Sequence, residues 1–290
     1  MLKRLNNQEG VAAALFLAPS VAGFALFFFV PFLIGCYYSL LDSPVDGSFV
    51  GLRNYGDLLR NEVFHRAAWN TFRFTAVSVP LNMLLSLGLA MLLNRNAYFR
   101  SWLRISFLFP LVIPVASVVL IWRIVFDANG TLNGLLHAWG WIPRDWMESG
   151  YSPAVVVVVY LWKNVGYNMV LFLAGLQNIP AEYYEAAAID GAGKFRQWRS
   201  ITLVYLMPTT FFVFIISILN SFKVFRETYL IAGEYPHEDI YMMQHYMNNM
   251  FRSLDYQKLT SAAFLMALAI TVLVWTLFRA ERRLARSIGG

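Results

Sequence analysis

Long stretches without a charge alternate with short polar connections along the whole chain. Val11–Leu41, Phe74–Leu93, Ile105–Trp122, Ile201–Phe222 and Leu259–Phe278 carry no Asp, Glu, Lys or Arg, and Ala154–Leu176 carries a single charge, Lys163. A helix of about 20 mainly apolar residues crosses about 30 Å of hydrocarbon, so each stretch is long enough to span a bilayer. None alternates apolar and polar residues, which disfavours a transmembrane barrel. The pattern predicts an all-α membrane protein with six transmembrane helices, at about 11–41, 73–94, 105–126, 154–176, 201–222 and 259–279. The first is read as a retained helix, because its apolar run is longer than the roughly 7–15 residues of a secretory signal and no small-residue cleavage site follows it. One membrane domain over residues 1–290 is expected, with no soluble domain.

Composition agrees with the pattern. Charged residues make up 14% of the chain, against roughly 25% in a soluble domain. The lone cysteine, Cys36, lies within the first span, so no internal disulfide is available.

The placement of the net charge of +6 points to lipid rather than nucleic acid. With six spans both termini share one side. That side carries Lys3 and Arg4, then Arg95, Arg100 and Arg104, then Lys194, Arg196 and Arg199, and finally Arg279, Arg282, Arg283 and Arg286. The opposite loops are diluted by acids such as Asp42, Asp57, Glu62, Asp127, Glu234 and Glu238. Cytoplasmic loops hold the excess of Lys and Arg, so both termini are expected in the cytoplasm. In the second outer loop, Asn129-Gly130 signals a turn, and Trp139, Trp141 and Trp146 read as an interfacial belt. The third, about 223–258, is expected to form short helices that cap the outer mouth.

Catalytic machinery is thin. His65, His137, His237 and His245 fall on outer loops without metal-ligand spacing, and no catalytic or metal residue is assigned. Asp190-Gly191-Ala192-Gly193-Lys194 has a Gly-Lys pair, but Phe195 stands where a phosphate loop needs Ser or Thr, and position 188 is Ala rather than Gly. No cofactor is expected in this chain.

Between the fourth and fifth spans lies a polar island, Glu185-Ala-Ala-Ala-Ile-Asp-Gly-Ala-Gly-Lys. Pro180 suits the first turn of a helix, and Glu182 and Glu185 then sit near the positive end of its dipole. Ala186, Ala187 and Ala188 favour helix and allow close approach of another surface. Gly191 after Asp190 is placed to end the helix in a left-handed cap. A second helical stretch from about Gly193 leads through Trp198 into the fifth span until Pro208. The product is a helix–bend–helix knob over about 180–200.

The order Glu-Ala-Ala-x-x-Asp-Gly-Ala over residues 185–192, followed by Trp198, Ile201, Leu203 and Pro208, resembles the cytoplasmic EAA loop of ABC importer permeases. Phe49-Val50-Gly51-Leu52-Arg53-Asn54-Tyr55, Asn70-Thr71, and Phe222-Lys223-Val224-Phe225 leading to Tyr229-Leu230 extend the likeness over about 15–280. The chain is similar to the first, MalF- or UgpA-like, permease of carbohydrate importers. Val204, Trp198, Arg226 and Glu234-Tyr235-Pro236 depart from that pattern. The resemblance implies a type I ABC importer permease fold with Glu182, Glu185, Ala186, Ala187, Asp190, Gly191 and Ala192 coupling to an ATPase. It also implies a second, homologous permease, two cytoplasmic ATP-binding subunits that hold ATP and Mg, an external solute-binding protein, and a mono- or oligosaccharide substrate. Glycerol phosphate or another polyol or anionic solute is the alternative within the family. An ATP-independent intramembrane enzyme or receptor is the alternative outside it.

Polar residues inside spans usually line a cavity or a helix contact. Lys163, Asn164 and Asn168 in the fourth span and Asn220 with Ser221 in the fifth are the candidates for the substrate path. Trp162 and Tyr167 lie close enough to offer ring faces to a sugar. Asn164 and Asn168 share a helix face and serve equally well as interhelical hydrogen-bonding groups. Lys163 is read as snorkelling or as paired with an acid of the partner permease.

Overall fold

The computed structural model of the chain describes residues 2–94 and 100–288, with side chains over 11–94 and 101–283. Arg95 lies outside the described residues, as do the side chains of Lys3, Arg4, Arg100 and Arg286. Six helical segments are long and apolar enough to cross a membrane: Val11–Ser39, Glu62–Asn94, Val115–Ala138, Ser152–Gln177, Met207–Ala232 and Tyr256–Arg283. Among the described residues the only strand pairing is an isolated bridge between Leu41 and Phe49. The chain divides into two compact units, residues up to Asn61 with Met247–Leu268, and Glu62–Tyr246 with residues from Ala269 onward.

In the first unit, α1 (Leu2–Phe24) runs through a widened π turn at Ala25–Phe29 into α2 (Val30–Ser39). Pro31 follows that turn after one residue, Val30. A proline ring clashes with the carbonyl four residues back, and the extra residue of a π turn gives it room. The apolar side chains along this span are largely exposed, as lipid contact requires. The end of α2 is capped by the outer-loop residues that carried the family likeness. Asn54, on α3 (Arg53–Leu58), donates to the carbonyls of Ser39 and Leu41 at 2.9 and 2.7 Å. Tyr55 Oη donates to Ser39 Oγ at 2.8 Å. Carbonyls at a helix end have no partner within the helix, so this loop satisfies them. Phe32 packs on Phe264 with ring centroids 4.9 Å apart.

The second unit holds the core. Its helices are α4 (Glu62–Asn94), α5 (Arg100–Val112), α6 (Val115–Phe126), α7 (Thr131–Ala138), α8 (Ser152–Gln177), α9 (Ala181–Ile189), α10 (Lys194–Gln197), α11 (Leu203–Tyr205), α12 (Met207–Phe222) and α13 (Phe225–Ala232). α14 (Met243–Arg252) and α15 (Tyr256–Ile288) each run through parts of both units. α8 is the central helix. It packs on α4, α5 and α12, and Ala90, Met169, Phe172, Leu173, Leu206 and Val213 are buried together there. Polar side chains stitch the same helices. Asn168 donates to Asn82 Oδ1 at 2.6 Å and to Ser217 Oγ at 2.7 Å, and Ser86 donates to the Val165 carbonyl at 3.0 Å.

Three expected spans change, the fifth because its long segment starts at Met207 rather than near 201. The helix expected over 73–94 begins at Glu62. Its extra turns continue past the apolar stretch, where Arg66 pairs with Glu238 and Asn70 donates to the carbonyls of Glu238 and Tyr241. The span expected to be continuous over 105–126 is broken at Ile113–Pro114 into α5 and α6, with Pro114 extended at φ −55°, ψ 137°. Pro80 and Pro110 lie within unbroken helices. The break therefore answers to its surroundings rather than to proline alone.

The third outer loop forms the expected short helices α13 and α14. His245 on α14 is fully buried between the rings of Phe225 and Tyr241. Burial pushes its imidazole down to about 4. In the second outer loop Trp139 and Trp141 are exposed. Trp146 instead packs on Phe126 and donates to Asn133.

Candidate functional site

The helix break opens onto a cavity of about 330 Å³ in the second unit. Leu111, Ile113, Pro114 and Val115 form one wall, Val159, Tyr160, Lys163 and Asn164 of α8 another, and Asn220, Lys223, Val224, Arg226 and Glu227 the third. Non-helical backbone at membrane depth is tolerated where it is buried in protein or lines a wet cavity. The break and the cavity thus explain each other. The first-turn amides of α6 lie ahead of its own hydrogen-bond ladder, and the positive end of its dipole falls on the cavity wall.

Charge is concentrated here. Lys163, Lys223 and Arg226 contribute three cations to the wall and Glu227 one acid. The carboxylate of Glu227 is buried at 3% exposure and pairs with Lys163 Nζ. Lys163 therefore finds its acid in its own chain, on α13, in place of one on a partner permease. Glu227 Oε2 has no hydrogen-bond partner. Lys223 donates to Asn220 Oδ1 at 3.2 Å. Arg226 is exposed, and its guanidinium has no partner among the described residues.

The residues proposed from sequence for the path separate into two groups. Lys163, Asn164 and Asn220 line the cavity. Asn164 donates one amide hydrogen to the Tyr160 carbonyl at 2.8 Å. Asn168 commits its amide nitrogen to the α4 and α12 contacts. Ser221 donates to the Ile218 carbonyl at 2.7 Å and lies 3.0 Å from Thr75 Oγ1. Trp162 meets Trp122 edge to face, with centroids 5.6 Å apart, and neither it nor Tyr167 is on the cavity wall. Lys223, Arg226 and Glu227 join the wall without having been assigned to the path, although Lys223 carried part of the family likeness and Arg226 departed from it. Their signal in the sequence was the charge-dense run Lys223-Val-Phe-Arg-Glu directly after an apolar span.

The knob between α8 and α12 takes the expected helix–bend–helix form. Pro180 sits one residue earlier than expected, as the N-cap of α9 at φ −60°, ψ 135°. Glu182 is in the first turn. Gly191 has φ +75°, and the Gly191 and Ala192 amides donate back to the carbonyls of Ala188 and Ala187 at 3.0 and 2.8 Å. These two bonds are the Schellman pattern that glycine at this position allows. A π turn at Trp198–Thr202 leads onward into α11. Tyr184 Oη lies 2.9 Å from Thr202 Oγ1, and Gln197 donates to the Ala192 carbonyl at 2.9 Å, so the two arms of the knob hold each other. Glu182, Glu185, Ala186, Asp190 and Gly191 are exposed, whereas Ala187 and Ala192 are half-buried. Two large apolar side chains also stand out of the knob, Ile189 at 87% and Phe195 at 72% exposure. They were not read as contact residues from the sequence.

Residues 82–289, which include α8, the knob and α12, match the family described as the binding-protein-dependent transport system inner membrane component. The chain belongs to this family. It is a multi-pass permease subunit of an ABC importer, which sets aside the intramembrane enzyme or receptor. The permease is 36% identical to the arabinooligosaccharides transport system permease protein AraP of Bacillus subtilis, over 78% of this chain and 74% of that one. It is 31% identical to the trehalose/maltose transport system permease protein MalF of Thermococcus litoralis, over 81% and 82% of the two chains. In fold, the permease matches a chain of a bacterial ABC transporter involved in the import of the acidic polysaccharide alginate. The TM-score is 0.85 at 20% identity, with 97% and 98% of the chains covered.

Proposed function

We propose that this permease forms half of the membrane path of an ATP-driven importer for a mono- or oligosaccharide. The observation that carries the reading is the broken third span, which gives the membrane unit a polar cavity lined by Lys163, Asn164 and Asn220. Relatives named for arabinooligosaccharides and for trehalose and maltose support a carbohydrate as the solute. A second, homologous permease completes the path. A solute-binding protein delivers the sugar from outside. Two cytoplasmic ATPase subunits hold ATP and Mg²⁺, and each seats one EAA knob, with Ile189, Phe195 and the small face of Ala186 entering a groove. Both termini lie in the cytoplasm, on the side of the basic loops. Closure of the ATPases around ATP rocks the permeases between inward-open and outward-open states.

The cations of the cavity favour a second reading, in which the solute is a phosphorylated polyol such as glycerol phosphate, or another anion that is not a saccharide. ATP hydrolysis by the complete complex, reconstituted with its binding protein, separates the two when measured across neutral sugars and glycerol 3-phosphate. Stimulation by a neutral sugar supports the first reading. Stimulation by glycerol 3-phosphate alone overturns it.

A further inference from the structure

We propose that the cavity binds the acid group of an anionic saccharide at Arg226 and Lys223, beside the buried Lys163–Glu227 pair, which stays closed. The proposal rests on the carbohydrate reading above and adds the charge of the sugar.

Three observations meet at one place. The wall carries a net charge of +2, from Lys163, Lys223 and Arg226 against Glu227. A neutral sugar needs hydroxyl partners and ring faces, which two or three amides supply without any cation. Unneutralised cations facing one cavity repel each other, so a built cluster of them is understood best through an anion that completes it. Arg226 is the free member, with no partner among the described residues and with a planar donor edge suited to a carboxylate or phosphate.

The second observation is the state of Glu227. Its side chain is nearly fully buried, one oxygen is bound by Lys163 and the other has no hydrogen-bond partner. A carboxylate taken out of water with half its lone pairs unmatched is costly. Glu227 is held by a single strong contact and satisfied by nothing else. Opening the pair would leave that carboxylate unpaired beside a second anion, so an incoming acid group takes the cations that Glu227 does not hold, Arg226 and Lys223. The third observation is the α6 N-terminus at Pro114–Val115, on the wall itself. The positive end of its dipole also favours an anion.

The arrangement gives the site a selection rule: an acid group gains two cations, and a neutral sugar gains neither. Glu227→Gln removes the one acid of the wall and with it the repulsion that an incoming acid group meets.

The test uses the complete importer in vesicles, with its binding protein, and a panel of uronate-containing oligosaccharides beside their carboxyl-reduced counterparts. The acidic members are expected to be taken up at lower half-saturating concentration. Arg226→Gln and Lys223→Gln, both at exposed positions, are expected to raise that concentration about tenfold or more for the acidic sugar, as for loss of one charge-assisted hydrogen bond. Glu227→Gln is expected to lower it for the acidic sugar and leave the neutral counterpart unmoved. Equal uptake of acidic and neutral partners, unaltered by all three variants, overturns the anion site while the carbohydrate reading stands. Uptake of glycerol 3-phosphate with no saccharide of either kind overturns the carbohydrate reading and the proposal with it.

Discussion

Gly166 is the position where the packing of the central helix has least tolerance. A Cβ at this residue would stand 1.8 Å from the Phe107 carbonyl oxygen and 2.4 Å from its carbon, both backbone atoms of α5. Real Cβ contacts essentially never fall under 3.0 Å, so α5 and α8 must separate by about 1.2 Å or more in Gly166→Ala. No side chain is in the way that could rotate aside. Overpacking of this kind costs about 1–3 kcal/mol, and a contact against backbone belongs at the upper end. The same two helices carry Leu111 on one cavity wall and Lys163 and Asn164 on another. Separating them should therefore disturb the cavity as well as the fold. Gly88→Ala is the control, since its Cβ would meet nothing within 4 Å, and alanine there favours helix by up to about 1 kcal/mol. Thermal unfolding of the purified importer should show Gly166→Ala melting several degrees below wild type and Gly88→Ala at or above it, with sugar uptake reduced only in the former. Equal melting temperatures for Gly166→Ala and wild type would refute the close approach of these helices.

Gly191→Pro replaces a residue at φ +75° with one locked near −65°, and Glu185→Lys puts a cation close to a helix N-terminus. Both variants should insert at wild-type abundance yet lose uptake, as read by membrane immunoblot beside a transport assay; unimpaired transport in both would sink the coupling role. Asn164→Leu leaves substrate hydroxyls unmatched, at about 1–3 kcal/mol or roughly five- to 150-fold in affinity. A shifted sugar dependence of uptake with unchanged melting temperature is expected, and the opposite result would make Asn164 a helix-bridging residue. His245 has its folded pKa depressed to about 4 from 6.5, so its contribution is complete above pH 6.5 and is lost as pH falls from 6.5 through 4. Acid titration of stability should show His245→Phe, or another neutral replacement that keeps the ring packing, to be less sensitive than wild type over that window. Parallel curves would argue against a buried neutral imidazole.

The spans were legible because a bilayer leaves a coarse mark: about 20 uncharged residues suffice, whatever they pack against. The knob was legible for a local reason. Pro180, the alanines and Gly191 each act within a few residues of themselves, so cap and turn chemistry carries over directly from sequence. The cavity was legible in part. Asn164 and Asn168 are equivalent to any reading of helix periodicity. What separates them is Asn82 and Ser217, which stand opposite Asn168 on α4 and α12 and occupy its amide. Glu227 could not be matched to Lys163 from the sequence, because 64 residues separate them and α13 has first to fold against the membrane helices. The broken span shows the same limit. Pro80, Pro110 and Pro114 all lie in apolar runs, and only at Pro114 does the backbone leave the helix.

Asn133, buried at 2% exposure, closes the second outer loop by itself. Its amide nitrogen reaches the carbonyls of Asp127, Ala128 and Arg144, while its oxygen accepts from the Arg144 amide and the Trp146 indole. Such a clasp fixes where the chain leaves and returns but places no demand on the length between. Doubling a flexible loop costs only about 0.6 kcal/mol in closure entropy. The stretch from His137 to Ile142, which carries the exposed Trp139, Trp141 and Ile142, is therefore the place to splice an epitope or a fluorescent reporter into this permease. Asn133 and Trp146 are residues of that loop which such an insertion has to leave alone.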